Sequence, residues 1–517
     1  MIRVEALLHR TARMFPRAIA IADAHRTVTY EAFELEVRRA ARVLAALGVG
    51  ARDRVVVLAH NRVEYVALYF ACAELSAVLV PLNTRLVPRE IAGLAARSRA
   101  RLLVADARYA AALDALPEGC RGLSLDAPSD GFPAFADATE ADALPPPSFD
   151  VGDVAVQMYT SGTTGLPKGA MLTHANVTSM TAAWLLELPV RGPEHTFLQV
   201  TPLYHVGAML MVMSCVATGT KLVLRDFAPA EIARVLAHGG VTHTLLVPAM
   251  IRFLLDGLGD ADVSFPDLRM VVYGASPIPI TQLRRAQARF GCDLLQGYGL
   301  TETAGVLTAL RPRDHDHDPA KPPPTRVASA GRPTLGVEIR IARADGGDAD
   351  AGEVGEILAR GPNVFIGYHE MPEATADAFD HGWLRTGDLG TLDEEGYVSI
   401  VDRSKDMIIV GGENVYPSEV GEVMREHALV SDVAVVGVPD ERWGEAVRAL
   451  VVASRELLPG EEDAALIDLL EFARARLARF KCPSRVELIA EIPRNAAGKV
   501  LKAALRAPYW AGRERKV

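Results

Sequence analysis

Apolar residues recur at helical spacing over residues 5–15, with Leu7, Leu8, Ala12 and Phe15 on one side. Ile19-Ala20-Ile21 and Thr27-Val28-Thr29-Tyr30 flank a polar turn and read as a strand pair. Thr29 stands where a hydroxyl caps a helix from about residue 31 to 47, which Gly48 ends. The apolar run Arg54–Leu58 precedes a helical pattern from Arg62 to Leu75, a strand at Val78–Pro81, a helix at Pro88–Ser98 and a strand at Leu102–Ala105. Alternation of this kind predicts a mostly parallel sheet with helices on both faces. It resumes over residues 185–310, with strands at Lys221–Leu224, Thr242–Val247, Arg269–Tyr273 and Asp293–Gln296. The longest apolar stretch, near Val206–Thr218, is too short to span a bilayer and reads as a buried segment.

The pattern breaks at three places. Residues 126–150 are rich in Asp, Ala and Pro and read as a surface connection. Residues 311–326 hold His315 and His317 among aspartates; a solvated loop is expected there rather than a metal site, since no scaffold holds the ligands. Residues 328–400 show short strands and turns, including Val337–Ile341, Gly355–Ala359 and Tyr397–Ile400. Beyond Asp402-Arg403-Ser404-Lys405-Asp406 a compact piece follows, with helices at Ser418–His427 and Leu466–Leu477 and strands at Val433–Val438 and Arg448–Val452. The class is therefore α/β: a large N-terminal domain, 1–402, of β/α subdomains (about 1–145 and 146–325) plus a small β-rich subdomain (326–402), then a small α+β C-terminal domain, 403–517.

Composition narrows the function. A chain of 517 residues needs more than one core, and half of it is hydrophobic with 23% charged, as in globular proteins. A net charge of −10 argues against a nucleic-acid partner. The five cysteines are scattered without a C-x-x-C pair, which fits a reducing, cytoplasmic setting and no zinc site. No signal peptide or transmembrane segment is read. A homodimer stays open.

The stretch around which the chain is organised is Tyr159-Thr160-Ser161-Gly162-Thr163-Thr164-Gly165-Leu166-Pro167-Lys168-Gly169-Ala170. A strand-like run, Val154–Tyr159, precedes it, Ala170-Met171-Leu172 follows as a second strand, and Thr173 is placed to cap a helix. A glycine-rich loop between strands offers backbone N–H groups and hydroxyls to an anion, and polyphosphate suits it. It is not a Walker loop: two residues separate Gly165 from Lys168, and Gly169 follows the lysine where Ser or Thr is needed. The motif closely resembles the phosphate loop of the adenylate-forming superfamily, which includes acyl-CoA and aryl-CoA synthetases, luciferases and peptide-synthetase adenylation domains.

Further motifs follow in that superfamily's order. Gln296-Gly297-Tyr298-Gly299-Leu300-Thr301-Glu302-Thr303 resembles the adenine and magnesium motif, which implies Tyr298 against adenine, Thr301 at the reacting groups and Glu302 on Mg2+. Gly274-Ala275-Ser276-Pro277 matches the segment bordering adenine and acyl group. Asp388, in Arg385-Thr386-Gly387-Asp388-Leu389, and Arg403 match the ribose-binding pair. Pro493–Lys499 resembles the C-terminal catalytic segment, implying that Lys499 closes over the site during adenylation. Lys405 takes the hinge position. His205, in Leu203-Tyr204-His205-Val206-Gly207-Ala208, becomes a gate at the acyl pocket, with a core histidine bonded to backbone as the alternative.

The resemblance implies coenzyme A as acceptor through Gly411 and Gly412 at the pantetheine tunnel, Trp443 stacking on a nucleotide, and Phe480, Lys481 and, more weakly, Arg85 at the nucleotide end. It thus implies an ATP-dependent acid–thiol ligase using Mg2+, which forms an acyl-adenylate and then a CoA thioester. The alternatives are an adenylating enzyme with another acceptor, or a homologue that binds acyl group or nucleotide without catalysis. The expected acyl-pocket segments hold Gly207, Met250, Ala275, Gly299, Leu300 and Gly305 and contain no Lys or Arg, so a monocarboxylic acid with an apolar body, medium- or long-chain fatty or aromatic, is expected.

Overall fold

The structure is a computed structural model that describes residues 2–109, 112, 116–126, 134–144, 150–160, 167–259, 261–276, 278–315, 325–403, 406–410, 413–440, 443–458, 460–477, 479–494 and 500–511. It divides into two compact units, Met1–Glu338 with Ala359–Leu384, and Ile339–Leu358 with Arg385–Val517.

The first unit is built on two sheets. One has nine strands, in the order Arg332–Pro333, Thr308–Leu310, Asp293–Tyr298, Met270–Gly274, His243–Leu246, Thr196–Gln199, Lys221–Leu224, Ile19–Ala22, Thr27–Thr29. Its six central strands are parallel and the antiparallel pairs lie at its ends. The other sheet has six strands, in the order Arg121–Ser124, Ala100–Ala105, Arg54–Leu58, Val78–Pro81, Val154–Thr160, Lys168–Thr173, and only the last pair is antiparallel.

Alternation along each strand decides which core a side chain joins. Val55 and Val57 enter a central core, and Val56 and Leu58 an outer one. Met270 and Val272 enter the same central core, and Val271 and Tyr273 a second outer core. These apolar runs are thus strands buried on both faces. The central core is filled by helices Val4–Met14, Tyr30–Ala46, Val63–Glu74, His174–Trp184 and Val206–Thr218. The apolar stretch at Val206–Thr218 is one of them, buried on nearly every side because it is apolar on every side. No helix among the described residues is long and apolar enough to cross a membrane.

The hydroxyl caps read from sequence are present. Thr29 accepts from Ala32 N–H at 3.3 Å. Thr173 and Asn176 form a reciprocal capping box, at 3.1 and 2.9 Å. The expected solvated loop at His315 is corrected: His315 ends the short helix Pro312–His315, is 2% exposed, and bonds Tyr273 through Nε2 at 2.8 Å and the Arg311 carbonyl through Nδ1 at 2.8 Å. An acidic, proline-rich context hid it, because burial against Tyr273 is a long-range contact. His317 lies outside the described residues.

In the second unit, Trp383–Leu392 and Val398–Arg403 pair antiparallel from Asp388 onward. Its C-terminal sheet runs Glu413–Val415, Ile408–Val410, Gly444–Ala453, Val430–Asp440, with Arg485–Leu488 parallel to Gly444–Ala453. Val433 and Val435 face helices Pro417–Arg425 and Glu462–Arg474, whereas Val436 and Val438 face Leu505 and Tyr509 of helix Lys502–Trp510.

His174 ties the first helix to the central core. Its Nδ1 accepts from the Val4 amide at 3.1 Å, and Glu5 lies 3.8 Å away. Burial, with a further push from Arg3, drives the imidazole pKa down to about 3. The folded chain therefore binds fewer protons here than the unfolded one below an ordinary histidine pKa of about 6.5, so stability falls as pH drops from there toward 3. His174→Gln is expected to flatten this acid limb, by up to about 3 kcal/mol at pH 4 relative to pH 7. Urea midpoints measured from pH 7 to 4 check this; parallel curves for the two proteins contradict it.

Candidate active site

The strands Val154–Thr160 and Lys168–Thr173 form an antiparallel pair around the glycine-rich loop. Ser161, Gly162, Thr163, Thr164 and Gly165 lie outside the described residues. At the base of the loop Thr160 is paired with Lys168, and its hydroxyl donates to the Lys168 carbonyl at 3.4 Å. The Lys168 ammonium is 5.1 Å from the centroid of the Tyr368 ring.

The second motif begins where two neighbouring parallel strands end. Gly274 pairs with Gly297, and Ala275 after it takes a left-handed φ of 68°. Ser276 follows, half-buried, and Tyr298 is buried. Gly299 is required sterically: a Cβ there would come within 2.6 Å of both the Gly305 carbonyl oxygen and the Val306 Cα. The turn Thr301–Thr303 is closed by Leu300 N–H donating to Thr303 Oγ1 at 2.9 Å. It leaves Thr301 and Glu302 half-buried. Glu302 Oε1 accepts from the Tyr368 hydroxyl at 2.8 Å.

A segment that sequence reasoning missed links these motifs. The backbone of residues 364–369 runs along Lys168–Thr173: Ile366 N–H donates to Met171, Met171 N–H to Gly367 and His369 N–H to Gly169, at 3.2, 3.0 and 2.8 Å. On its other side Phe365 N–H donates to the Glu302 carbonyl at 2.8 Å. Two side-chain amides anchor it. Asn176 Nδ2 donates to the carbonyls of Pro362 and Val364, each at 2.8 Å. Asn363 Nδ2 donates to Thr303 and Val306 at 2.9 and 3.0 Å, from a site 2% exposed. The one local signal was a polar residue heading the apolar run Asn363-Val364-Phe365-Ile366.

His205 precedes the buried helix Val206–Thr218, its ring 4.5 Å from that of Tyr204. Its Nε2 is buried with no hydrogen-bond partner among the described residues. Burial, then the nearby charge of Arg85, pushes its pKa down to about 4, so the ring is neutral at physiological pH. Arg85 thus acts on His205 and, by the same field, on Tyr204. Gly207 would place a Cβ 3.7 Å from Leu245, Met250 packs partly buried on an outer core, and Gly305 takes φ 115°. Arg252 lies over the exposed ring of Phe253, at 5.2 Å.

In the second unit Asp388 and Arg403 are direct partners on adjacent strands. Thr386 Oγ1 accepts from Asp388 N–H at 3.1 Å and donates to the Ile357 carbonyl at 2.7 Å, within the strand Trp383–Leu392. Trp443 is 49% exposed and Phe480 36%, open enough for stacking. Lys481 is held by Glu419 at 2.7 and 2.9 Å and sits 5.8 Å from the Phe480 centroid. Lys405, Gly411, Gly412 and Lys499 lie outside the described residues.

The model of the AMP-binding enzyme family matches residues 8–369, and that of the AMP-binding enzyme C-terminal domain matches residues 419–499. The chain belongs to the AMP-binding enzyme family. It is similar to the fatty acid–[acyl-carrier-protein] ligase of Streptomyces coeruleorubidus, 36% identical over 97% of this chain and 95% of that protein. A long-chain-fatty-acid–CoA ligase of Mycobacterium tuberculosis is 35% identical over 98% of both. Among solved structures, the o-succinylbenzoate CoA synthetase of Bacillus subtilis in complex with its acyl-adenylate intermediate matches with a TM-score of 0.85 and 30% identity, over 96% of this chain and 97% of that one.

In this AMP-binding enzyme the donor set suits a hard divalent cation. Among the described residues Glu302 has Tyr368 as its side-chain hydrogen-bond partner and no cation within ion-pair distance. A half-buried carboxylate with no ion-pair partner among the described residues is what Mg2+ with a nucleotide would complete.

Asn363→Ala removes both amide donors to the Glu302 turn and leaves two buried carbonyls unpaired. The expected cost is about 2–4 kcal/mol, read as a lower urea midpoint, together with a raised KM for ATP. An unchanged midpoint and KM would show that the turn holds itself.

Proposed function

We propose that this chain is an ATP-dependent acid–CoA ligase that works in the cytoplasm. The observation that carries the reading is the convergence of Lys168 and Glu302 on one side chain, Tyr368, at the base of the phosphate loop. One cation and one carboxylate are thereby held beside a loop whose composition suits polyphosphate. A cytoplasmic setting is supported by the five free cysteines.

In the first step a carboxylate oxygen attacks the α-phosphorus of ATP, the α–β bridging bond breaks, and acyl-AMP and pyrophosphate form. Thr160–Gly165 and Lys168 hold the leaving phosphates, and Tyr298, Ala275 and Ser276 border the adenine. Asp388 and Arg403 take the ribose, Glu302 would hold the metal, and Thr301 lies at the reacting groups. Mg2+, when bound, neutralises charge on the phosphates. Lys499 donates to the reacting oxygens in this step only. Residues 403–517 then move about Lys405, bringing in Gly411 and Gly412, and the CoA thiol attacks the acyl carbon and releases AMP. Neutral His205 stands between the carboxylate site and the acyl pocket, and Trp443, Phe480 and Lys481 receive the nucleotide of CoA.

A second acceptor has specific support. One relative covering nearly the whole chain is named for an acyl-carrier protein, and Lys481 is already paired with Glu419. Pyrophosphate release across an acid library, with CoA, with a phosphopantetheinyl carrier protein and with neither, separates the two. Thioester formed on the carrier and none on CoA would overturn the CoA reading.

The two-step scheme predicts that Lys499→Ala loses acyl-AMP formation by several orders of magnitude while thioester formation from supplied acyl-AMP survives. Equal loss of both half-reactions contradicts it.

The acid is expected to have an apolar body. Met250 packs on apolar core and Arg252 lies over the exposed Phe253, so the expected pocket segments present no cation. Apolar contact discriminates by about 1–3 kcal/mol per methylene, so several acids should react. The measurement is kcat/KM for octanoate and benzoate-type acids against malonate and succinate. A preference for the diacids would assign Arg85, whose field reaches His205, to the second carboxylate.

A further inference from the structure

Lys168 and Glu302 both meet the Tyr368 side chain, which has no task of its own in the proposed steps. We infer that Tyr368 is a positioning residue for the metal carboxylate and the phosphate-loop lysine: its hydroxyl orients Glu302 while its ring face seats Lys168. The inference rests on the proposed ATP chemistry and adds a residue to it.

Three observations carry it. First, the hydroxyl donates to Glu302 Oε1 at 2.8 Å, so one carboxylate oxygen is engaged and the side chain is held in one orientation with its second oxygen left for a metal. Outer-shell donors of this kind fix the geometry of a ligating carboxylate. Second, the Lys168 ammonium lies 5.1 Å from the ring centroid. Because the hydroxyl belongs to the same rigid ring, the cation and the carboxylate are held at a set separation with no ion pair between them among the described residues. A direct Lys168–Glu302 pair would neutralise both groups and leave neither for phosphate or metal; the ring keeps them apart and close. Third, Tyr368 is itself fixed from several sides. Its N–H donates to Thr375 Oγ1 at 2.9 Å, and it bridges Ala170 in antiparallel register. Its ring meets Phe365 edge-on, with centroids 4.8 Å apart. Phe365 in turn donates its N–H to the Glu302 carbonyl. Backbone and side chain of Glu302 are thus both held by residues 365–368.

Two substitutions separate the two functions of the ring. Tyr368→Phe keeps the aromatic face and the packing on Phe365 and removes the hydroxyl alone. Tyr368→Leu removes both. The measurement is the calorimetric Kd of the intact protein for ATP, with Mg2+ and with EDTA, and melting curves verify that each variant is folded. For Tyr368→Phe the expected result is a loss of about tenfold in the affinity gained from Mg2+, the low end of the effect of outer-shell partners, with ATP affinity in EDTA unchanged. Tyr368→Leu should also weaken ATP binding in EDTA, by about threefold, as the Lys168 seat is lost. Tyr368→Phe binding Mg-ATP like the parent, or losing affinity equally in EDTA, overturns the inference. The parent chain tests the underlying reading independently. If it gains affinity from Mg2+ but forms no thioester with any acceptor, the ligase assignment fails and the role of Tyr368 stands. If it gains none, Glu302 is not a metal carboxylate and both fall.

Discussion

Backbone pairing between residues 364–369 and strand Lys168–Thr173 is the constraint that ties Lys168 and the Glu302 turn to one segment of the first unit. The strands flanking the glycine-rich loop and the strand leading into the Glu302 turn belong to different sheets. Residues 362–369 satisfy backbone groups of both: N–H and C=O groups of Lys168–Thr173 on one side, the Glu302, Thr303 and Val306 carbonyls on the other. A buried backbone group left unpaired is costly, so the segment cannot slide without breaking several bonds together. The side chains of Lys168 and Glu302 inherit that register.

The same economy of polar groups explains why the centre of the first unit tolerates histidines and asparagines. Asn176 completes a helix cap with its oxygen and the anchoring of residues 362–364 with its nitrogen. His174 receives the Val4 amide and remains neutral because burial disfavours its charged form. His205 is neutral for the same reason, and among the described residues its buried Nε2 has no hydrogen-bond partner. His315, by contrast, uses both nitrogens and is structural.

In the second unit the chemistry-bearing residues are distributed differently. Asp388 and Arg403 are brought opposite each other by strand pairing, next to a register shift between Leu389 and Gly390. Asp402 and Asp406, on either side of Lys405, are held by Lys502 at 3.5 and 3.8 Å, and Arg506 reaches Asp406 at 3.3 Å. Trp443 and Phe480 remain open to solvent.

Local chemistry determined much of this in advance. Apolar runs of four or five residues between helical segments read as strands of covered sheets, and Arg54–Leu58, Val78–Pro81 and Lys221–Leu224 begin and end where the side-chain pattern says. Thr29 and Thr173 cap helices because a hydroxyl before an apolar-periodic run satisfies free N–H groups whatever lies beyond. The glycine at 299 was legible for a similar reason: close approach to backbone demands it, since a Cβ there would come within 2.6 Å of the Gly305 carbonyl oxygen. Tyr368, Asn363 and the buried His315 were not legible. Each acts through partners tens to hundreds of residues away; the asparagine heading the apolar run 363–366 was the one local signal, and it does not say which partners the side chain meets. Their roles exist only once chain folding brings Glu302, Lys168 and Tyr273 alongside, since a hydrogen bond depends on distance in space and not on distance along the chain.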